Sequence, residues 1–333
     1  MKKILLASAS IVAFAGVAAA EVDLSGSATL GYNDVAAGGN DGFYSEVNLD
    51  ASLSATLDNG ITVTVAADVD ELDNPDNSTA ADVTMTISSE TASLVYGDTT
   101  AAANDTWSAV GSMDNDGFYE DGDALLKGTV TFGDVTASVS YLADNGATEA
   151  TEMSVGATAT LGGASVALAY QAGGAVTGNE ILALRAGMTV GGADVAVGYA
   201  SNQTADTNST GVSVTYPVGP VALTASYVVE SGAADDNWDI KAVYTAGAVS
   251  ATVYTDESDD WGIDASYDVG NGLKVFGGLD DAGDTTYLAA TYDLGGGASL
   301  LGSFVDTNAA NSDDEYGAGD YQEGTTVAVS FSF

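Results

Sequence analysis

Gly133-Asp134-Val135-Thr136-Ala137-Ser138-Val139-Ser140-Tyr141 is a tight turn followed by a strand with one apolar side. Val135, Ala137, Val139 and Tyr141 alternate with Thr136, Ser138 and Ser140, the period of a strand that buries one face. The same unit recurs along the chain. Val166, Leu168 and Tyr170 follow Gly162-Gly163, and Val195, Val197 and Tyr199 follow Gly191-Gly192. Val221, Leu223, Ala225 and Tyr227 follow Pro217-Val218-Gly219-Pro220. Tyr141, Tyr170, Tyr199 and Tyr227 are 29, 29 and 28 residues apart, so one hairpin takes about 28 residues. An aromatic repeated at one height on an apolar face is what the interfacial girdle of a transmembrane barrel requires. A water-soluble β-sandwich also alternates, but it needs no even repeat over so many hairpins.

Working outward, tight turns are expected at Asp58-Asn59-Gly60, Ser88-Ser89-Glu90, Gly133-Asp134, Gly162-Gly163 and Gly191-Gly192. Further turns are expected at Pro217–Pro220, Ala246-Gly247, Gly270-Asn271-Gly272 and Gly295-Gly296-Gly297. Most carry the Gly, Asn or Asp that hairpin turns need at positive φ. Nine turns, with strands before, between and after them, count up to about 20 strands. Longer acidic stretches lie between: Asn33–Gly42, Glu71–Ala81, Thr99–Gly122, Ala143–Ala150, Asn202–Asn208 and Asp306–Gln322. Short turns at one end and longer polar loops at the other are the two ends of an outer-membrane barrel. No segment shows a convincing helical face. In the last strand Val327, Val329, Phe331 and Phe333 alternate with small residues, and the chain ends on an aromatic.

At the other terminus Lys2 and Lys3, an apolar run from Ile4 to Val17, and Ala18-Ala19-Ala20 read as a secretory signal peptide, residues 1–20, cleaved before Glu21. Residues 21–333 then form one barrel domain, since their texture is uniform and no charged or proline-rich linker divides them. Without the two leader lysines, four basic residues face 48 acidic ones, a net charge of −44. That excludes a nucleic-acid partner, which needs lysine and arginine for phosphate. No cysteine and no histidine occur. Thiol chemistry, thiolate metal sites and Ser-His-Asp triads are therefore excluded, and no residue set stands out as catalytic, so an enzyme is not expected.

Thr286-Tyr287-Leu288-Ala289-Ala290-Thr291-Tyr292-Asp293-Leu294-Gly295-Gly296-Gly297-Ala298-Ser299 resembles the penultimate hairpin of alphaproteobacterial general porins. Glu21-Val22-Asp23-Leu24-Ser25-Gly26 is similar to their first strand. Tyr96-Gly97-Asp98 and the segment to Gly122 resemble their strand end and third loop. The resemblance implies an outer-membrane location in a Gram-negative bacterium and a homotrimer of antiparallel 16-stranded barrels. It also implies a third loop that folds inward to narrow a diffusion pore for small hydrophilic solutes and ions. In that family acids on the loop face basic side chains on the wall. Here the loop offers Asp105, Asp114, Asp116, Glu120, Asp121 and Asp123. The aromatic C-terminus resembles the signal read by the barrel-insertion machinery, and Phe333 joins the tyrosines as a girdle residue.

The basic half is sparse. Alternation puts Lys127, Arg185, Lys241 and Lys274 opposite the apolar residues of their strands, hence toward the lumen; a lipid-facing arginine or lysine at mid-bilayer would cost about 2–4 kcal/mol. Arg185 and Lys127 either form the positive side of the constriction or pair with neighbouring acids to stiffen the wall. With acids so dominant, cation preference is the expected sign. Asp256-Glu257-Ser258-Asp259-Asp260, Asp313-Asp314-Glu315 and Asp114-Asn115-Asp116-Gly117 are candidates for weak Ca2+, which would bridge to lipopolysaccharide. No other cofactor and no catalytic or dedicated metal residue is expected. A barrel plugged by Thr99–Gly122, structural or adhesive and non-conducting, is the alternative reading. A calcium-binding β-solenoid would show a strict nine-residue repeat, which is absent.

Overall fold

The computed structural model describes residues 21–35, 42–69, 82–119, 121–142, 153–173, 179–232, 236–307, 315–317, 319 and 321–333. The expected signal peptide lies outside the described residues. The strands begin with β1 (Glu21–Asn33), β2 (Phe43–Thr56), β3 (Thr62–Val69), β4 (Asp82–Ser88) and β5 (Ala92–Thr100). A single helical turn, α1 (Ala102–Thr106), precedes β6 (Asp121–Phe132), β7 (Val135–Leu142), β8 (Met153–Leu161), β9 (Ala164–Gln171) and β10 (Ile181–Val190). Then come β11 (Ala193–Asn202), β12 (Thr207–Val218), β13 (Val221–Glu230), β14 (Asn237–Ala246) and β15 (Val249–Asp256). The series ends with β16 (Trp261–Gly270), β17 (Leu273–Asp280), β18 (Thr285–Gly295) and β19 (Ala298–Thr307), the two-residue strands β20 (Glu315–Tyr316) and β21 (Tyr321–Gln322), and β22 (Gly324–Ser332).

Each strand from β1 to β19 pairs antiparallel with the next, β19 pairs with β22, and β22 returns to β1. Closure runs from Ser27 opposite Ser332 to Asn33 opposite Thr326. The chain is therefore a closed barrel with a 20-stranded sheet. Twenty is the number reached by counting turns; the 16 implied by the family resemblance is corrected. All nine expected turns are hairpin connections, and Gly133, Gly162, Gly191, Gly219, Gly247 and Gly295 among them adopt positive φ. Three further connections, at 172–180, 231–236 and 281–284, were not among the expected loops, and 257–260 falls in the acidic cluster Asp256–Asp260. The three lack the acidic run that marked the others. A barrel of 16–18 strands already leaves an aqueous channel, so one of 20 is wide enough for water-filled space inside.

The two faces separate as the alternation requires. On β2, Tyr44, Glu46, Asn48, Asp50, Ser52 and Ser54 share the parity that meets polar residues on β1 and β3; Val47, Leu49 and Leu53 share the other. Val197, Val212, Leu168 and Leu184 point outward with large exposed surfaces, as a lipid-facing wall must. Among the described residues no helix is long and apolar enough to cross a membrane. Strands do the crossing, because a closed sheet satisfies every backbone group internally. Val197 sits at the middle of β11, flanked across the ladder by Ala186 and Val212. Val197→Lys is expected to lower stability in lipid by about 2–4 kcal/mol, read as a shift of the urea midpoint of the refolded barrel, whereas Val197→Leu should leave it in place.

The aromatic residues named as a girdle, and others like them, lie at two levels of the barrel. Tyr141, Tyr170, Tyr199 and Tyr227 lie toward the loop ends of β7, β9, β11 and β13. Tyr141, Tyr199 and Tyr227 are exposed, and the Tyr170 hydroxyl donates to Glu180 Oε1 at 2.9 Å. Phe333 sits at the opposite end, beside the short turns, where its ring covers Gly26. Phe132, Tyr216, Tyr244, Tyr267 and Tyr292, each just before a turn, are exposed on the outside at that end.

The inward segment as candidate functional site

Between β5 and β6 the chain turns into the barrel and lies along one wall. The backbone N–H groups of Ala102 and Ala103 donate to the hydroxyls of Ser140 on β7 (2.9 Å) and Ser154 on β8 (3.1 Å). Those two hydroxyls cap the first turn of α1, which has no side-chain cap of its own. Farther on, Tyr119 N donates to Gln171 Oε1 of β9, and Asn115 N to Ser209 Oγ of β12. Asn237 Nδ2 of β14 donates to the Ser112 carbonyl at 2.7 Å.

Glu230 of β13 is the main polar anchor. It is 7% exposed and accepts from Asp114 N (3.0 Å), Asn115 Nδ2 (2.7 Å) and Ser209 Oγ (2.5 Å). A carboxylate takes three donors here because each oxygen accepts more than one; an amide cannot. Glu230→Gln is expected to weaken the seat by about 1.5–3 kcal/mol. Limited chymotrypsin digestion reads this as faster cleavage after Trp107, Phe118 or Tyr119; an unchanged rate would count against the anchor.

Apolar contacts finish the seat. Val110, Met113 and Phe118 are buried against Ala169, Ile181, Ala183, Ala200 and Val228, with Trp107 packed at the edge. Each large side chain removed from water contributes about 1.5–3 kcal/mol. These wall residues are inward-facing yet apolar, which breaks the polar-inside rule where the segment lies. Three strand glycines permit the approach. A Cβ on Gly156 would overlap the Thr106 hydroxyl and the Ala102 carbonyl, and one on Gly211 would overlap the Val110 carbonyl. A Cβ on Gly198 would lie 2.9 Å from Val110 Cγ2. None of these residues was singled out from the sequence. The available signal was glycine at an inward position in mid-strand, where backbones or ligands come close.

Of the expected site residues, Asp105, Asp114 and Asp116 lie on this segment. Asp105 is exposed in α1, and its Oδ2 is 3.4 Å from Lys127 Nζ on β6, the one salt bridge among the described residues. Asp114 is exposed near the far end, with Oδ2 3.5 Å from Asn237 Nδ2. Asp116 Oδ2 accepts from Trp107 Nε1 at 2.7 Å. Asp121 and Asp123 belong to β6, not to the loop, and Glu120 lies outside the described residues. Arg185 on β10 lines a cavity of about 430 Å³ beside residues 109–111. Lys241 shares the inward parity of Asp239 and Thr224, and Lys274 that of Phe276. Among the described residues no three carboxylates form a metal-holding group; Asp313 and Asp314 lie outside them. Asp256 Oδ1 instead accepts from Ser258 N and Asp260 N, closing its own turn.

Burial pushes the Asp116 carboxyl above the ordinary carboxylate range, against the lowering effect of the Trp107 hydrogen bond. A raised pKa means the charged form is held at a penalty above that pKa, and the penalty lapses as pH falls through it. Acidification should therefore neutralise Asp116 before an ordinary carboxyl. As pH falls, the reversal potential is expected to begin dropping before ordinary carboxyls titrate, and Asp116→Asn should remove that early phase.

Across the lumen, Asp23, Asp50, Asp68, Asp82 and Asp98 line a second cavity of about 330 Å³ on the wall formed by β1 to β5. Asp50, Asp68 and Asp82 are direct cross-strand neighbours. A further inward element covers β17 to β19, where Tyr321 packs on Tyr287 (5.6 Å between centroids) and Phe276 (6.3 Å).

The chain forms a closed, outwardly apolar barrel with an inward segment between its fifth and sixth strands, and the family model of Gram-negative porins matches residues 7–313. The chain belongs to the Gram-negative porin family. It is an outer-membrane protein of a Gram-negative bacterium, of a family of channel proteins. The porin is also similar to solved structures of Rhodopseudomonas blastica porin. A five-substitution variant is 14% identical, with 94% of this chain and 100% of that one covered and a TM-score of 0.48. A two-substitution variant is 14% identical over the same shares, with a TM-score of 0.47. No curated protein matches the chain.

Proposed function

We propose that this porin is a general diffusion channel for small hydrophilic solutes and ions, with a lumen that prefers cations, and that it works as a homotrimer. The observation that carries the reading is the seat of residues 101–119. The segment is anchored to β7 through β14 and leaves the acid-lined wall of β1 to β5 facing it. Asp105 and Asp114 supply carboxylates on its free side, and Asp116 adds a third. Lys127 and Arg185 are the sparse positive side, with Lys127 already committed to Asp105.

Cation preference follows from the balance of charge. Asp50, Asp68 and Asp82 stand side by side on neighbouring strands, an arrangement that is destabilising unless counter-ions collect there. A wall that collects cations raises their local concentration and lowers that of anions. Trimerisation is drawn from the family, and the outward Phe333 fits recognition by the insertion machinery.

Swelling of liposomes loaded with the mature barrel tests the channel. Neutral sugars should enter at rates that fall with solute size. Folded barrel in the bilayer without swelling would favour the plugged, structural alternative. The trimer should run as a heat-sensitive high-mass band in detergent gels.

A further inference from the structure

The cavity beneath residues 109–111 is not used by the cation path. Arg185 lines it, and its Nε is buried with no hydrogen-bond partner. A guanidinium that lines a cavity without an anionic partner gains when an acceptor arrives from solution. Asp194 is the acidic residue of the lining, but its Oδ1 accepts the Thr189 hydroxyl at 2.6 Å and it makes no salt bridge with Arg185.

The hydroxyls around the cavity divide by where their protons go. Ser226 Oγ donates to Ser213 Oγ (3.1 Å), which frees the Ser213 proton. Ser213 can therefore donate into the cavity on the Arg185 side. Ser165 donates to the Gly187 carbonyl (3.3 Å) and Thr189 to Asp194, so both present lone pairs instead. The lining therefore offers a guanidinium and a hydroxyl donor for an anionic group, with acceptors beside them for hydroxyls. Asp194 disfavours a second negative charge.

We infer that this cavity is a binding subsite for a monoanionic hydroxycarboxylate, its carboxylate on Arg185 with Ser213, and its hydroxyls on Ser165 and Thr189. At about 430 Å³ the space suits a sugar-acid-sized solute. In a lumen of net negative charge the subsite gives one class of anion a foothold that bulk electrostatics denies it. The inference rests on the channel reading for its biological sense, but not for its test.

The test is calorimetric or NMR titration of gluconate into the detergent-solubilised mature barrel. Wild type should bind it at millimolar concentration, with chloride competing weakly. Arg185→Gln should weaken binding tenfold or more, and Ser213→Ala severalfold. Lys241→Gln, which removes an inward cation on β14, should leave binding unchanged. Equal binding by wild type and Arg185→Gln, loss in Lys241→Gln of the same size, or no binding by wild type would each overturn the subsite. A barrel that conducts potassium chloride yet binds no gluconate sinks this inference alone. One that binds gluconate without conducting sinks the channel reading alone.

Discussion

Gly211→Leu is expected to lift residues 101–119 from the wall and widen the pore. A Cβ there already overlaps the Val110 carbonyl, and the added isobutyl group has nowhere to go, because Val110 and Met113 fill the space toward Gly198. Overpacking of this kind costs about 1–3 kcal/mol. The barrel loses little else, since Gly211 keeps its ladder position between Gly198 and Val228. The strain therefore falls on the segment. Single-channel steps should grow larger and noisier, and chymotrypsin should cut within 107–119. Gly187→Ala is the control, because its Cβ would meet Ser165 Oγ at 3.1 Å and touch no part of the segment. Unchanged conductance in a folded Gly211→Leu barrel would show that the segment does not set the pore width.

The second large effect is electrostatic. A carboxylate favours a cation passing at about 4 Å by roughly 1 kcal/mol in water, which is about fivefold in local concentration. Asp105→Asn, Asp114→Asn and Asp116→Asn combined should reduce the cation-to-anion permeability ratio severalfold at 0.1 M salt. The difference should shrink at 1 M, where screening shortens to about 3 Å. Removing Asp105 also releases Lys127 from its 3.4 Å contact, which strengthens the change in the same direction. A triple variant with the wild-type ratio at low salt would place the selectivity elsewhere, with the Asp50, Asp68 and Asp82 ladder the next group to neutralise.

Much of this architecture was legible in the sequence, for physical reasons that also mark where legibility ends. Most of these hairpin turns use a glycine at positive φ, so Gly133-Asp134 and its relatives announce themselves. Even Ser88-Ser89-Glu90, which has no glycine, shows as the break between Ile87 and Leu94. Period-two alternation then fixes inside and outside, which placed Lys127 and Arg185 on the inward parity. Alternation carries no information about what crosses the lumen. Nothing local to Val110 names Gly198 and Gly211 as its seat, because those contacts join residues about 90 to 100 apart. Glu230 likewise reads as one more loop-end acid until the fold brings Asp114 and Asn115 onto it. The strand number shows the value of local evidence. Turn chemistry gave 20, whereas the resemblance carried 16 from relatives with a different count. The one-turn helix α1 escaped notice because five residues cannot show a helical face.

As proposed, the two wall cavities place opposite demands on one lumen: carboxylates of β1 to β5 would gather cations, and the Arg185 cavity would admit a single anionic group. The cation path depends on the barrel being an open channel. The most direct test is single-channel recording of the purified mature chain in a planar bilayer with a salt gradient across it. Large ohmic steps with a reversal potential on the cation side are the expected result. A folded barrel that inserts without passing current, or one whose reversal potential favours anions, would contradict the account.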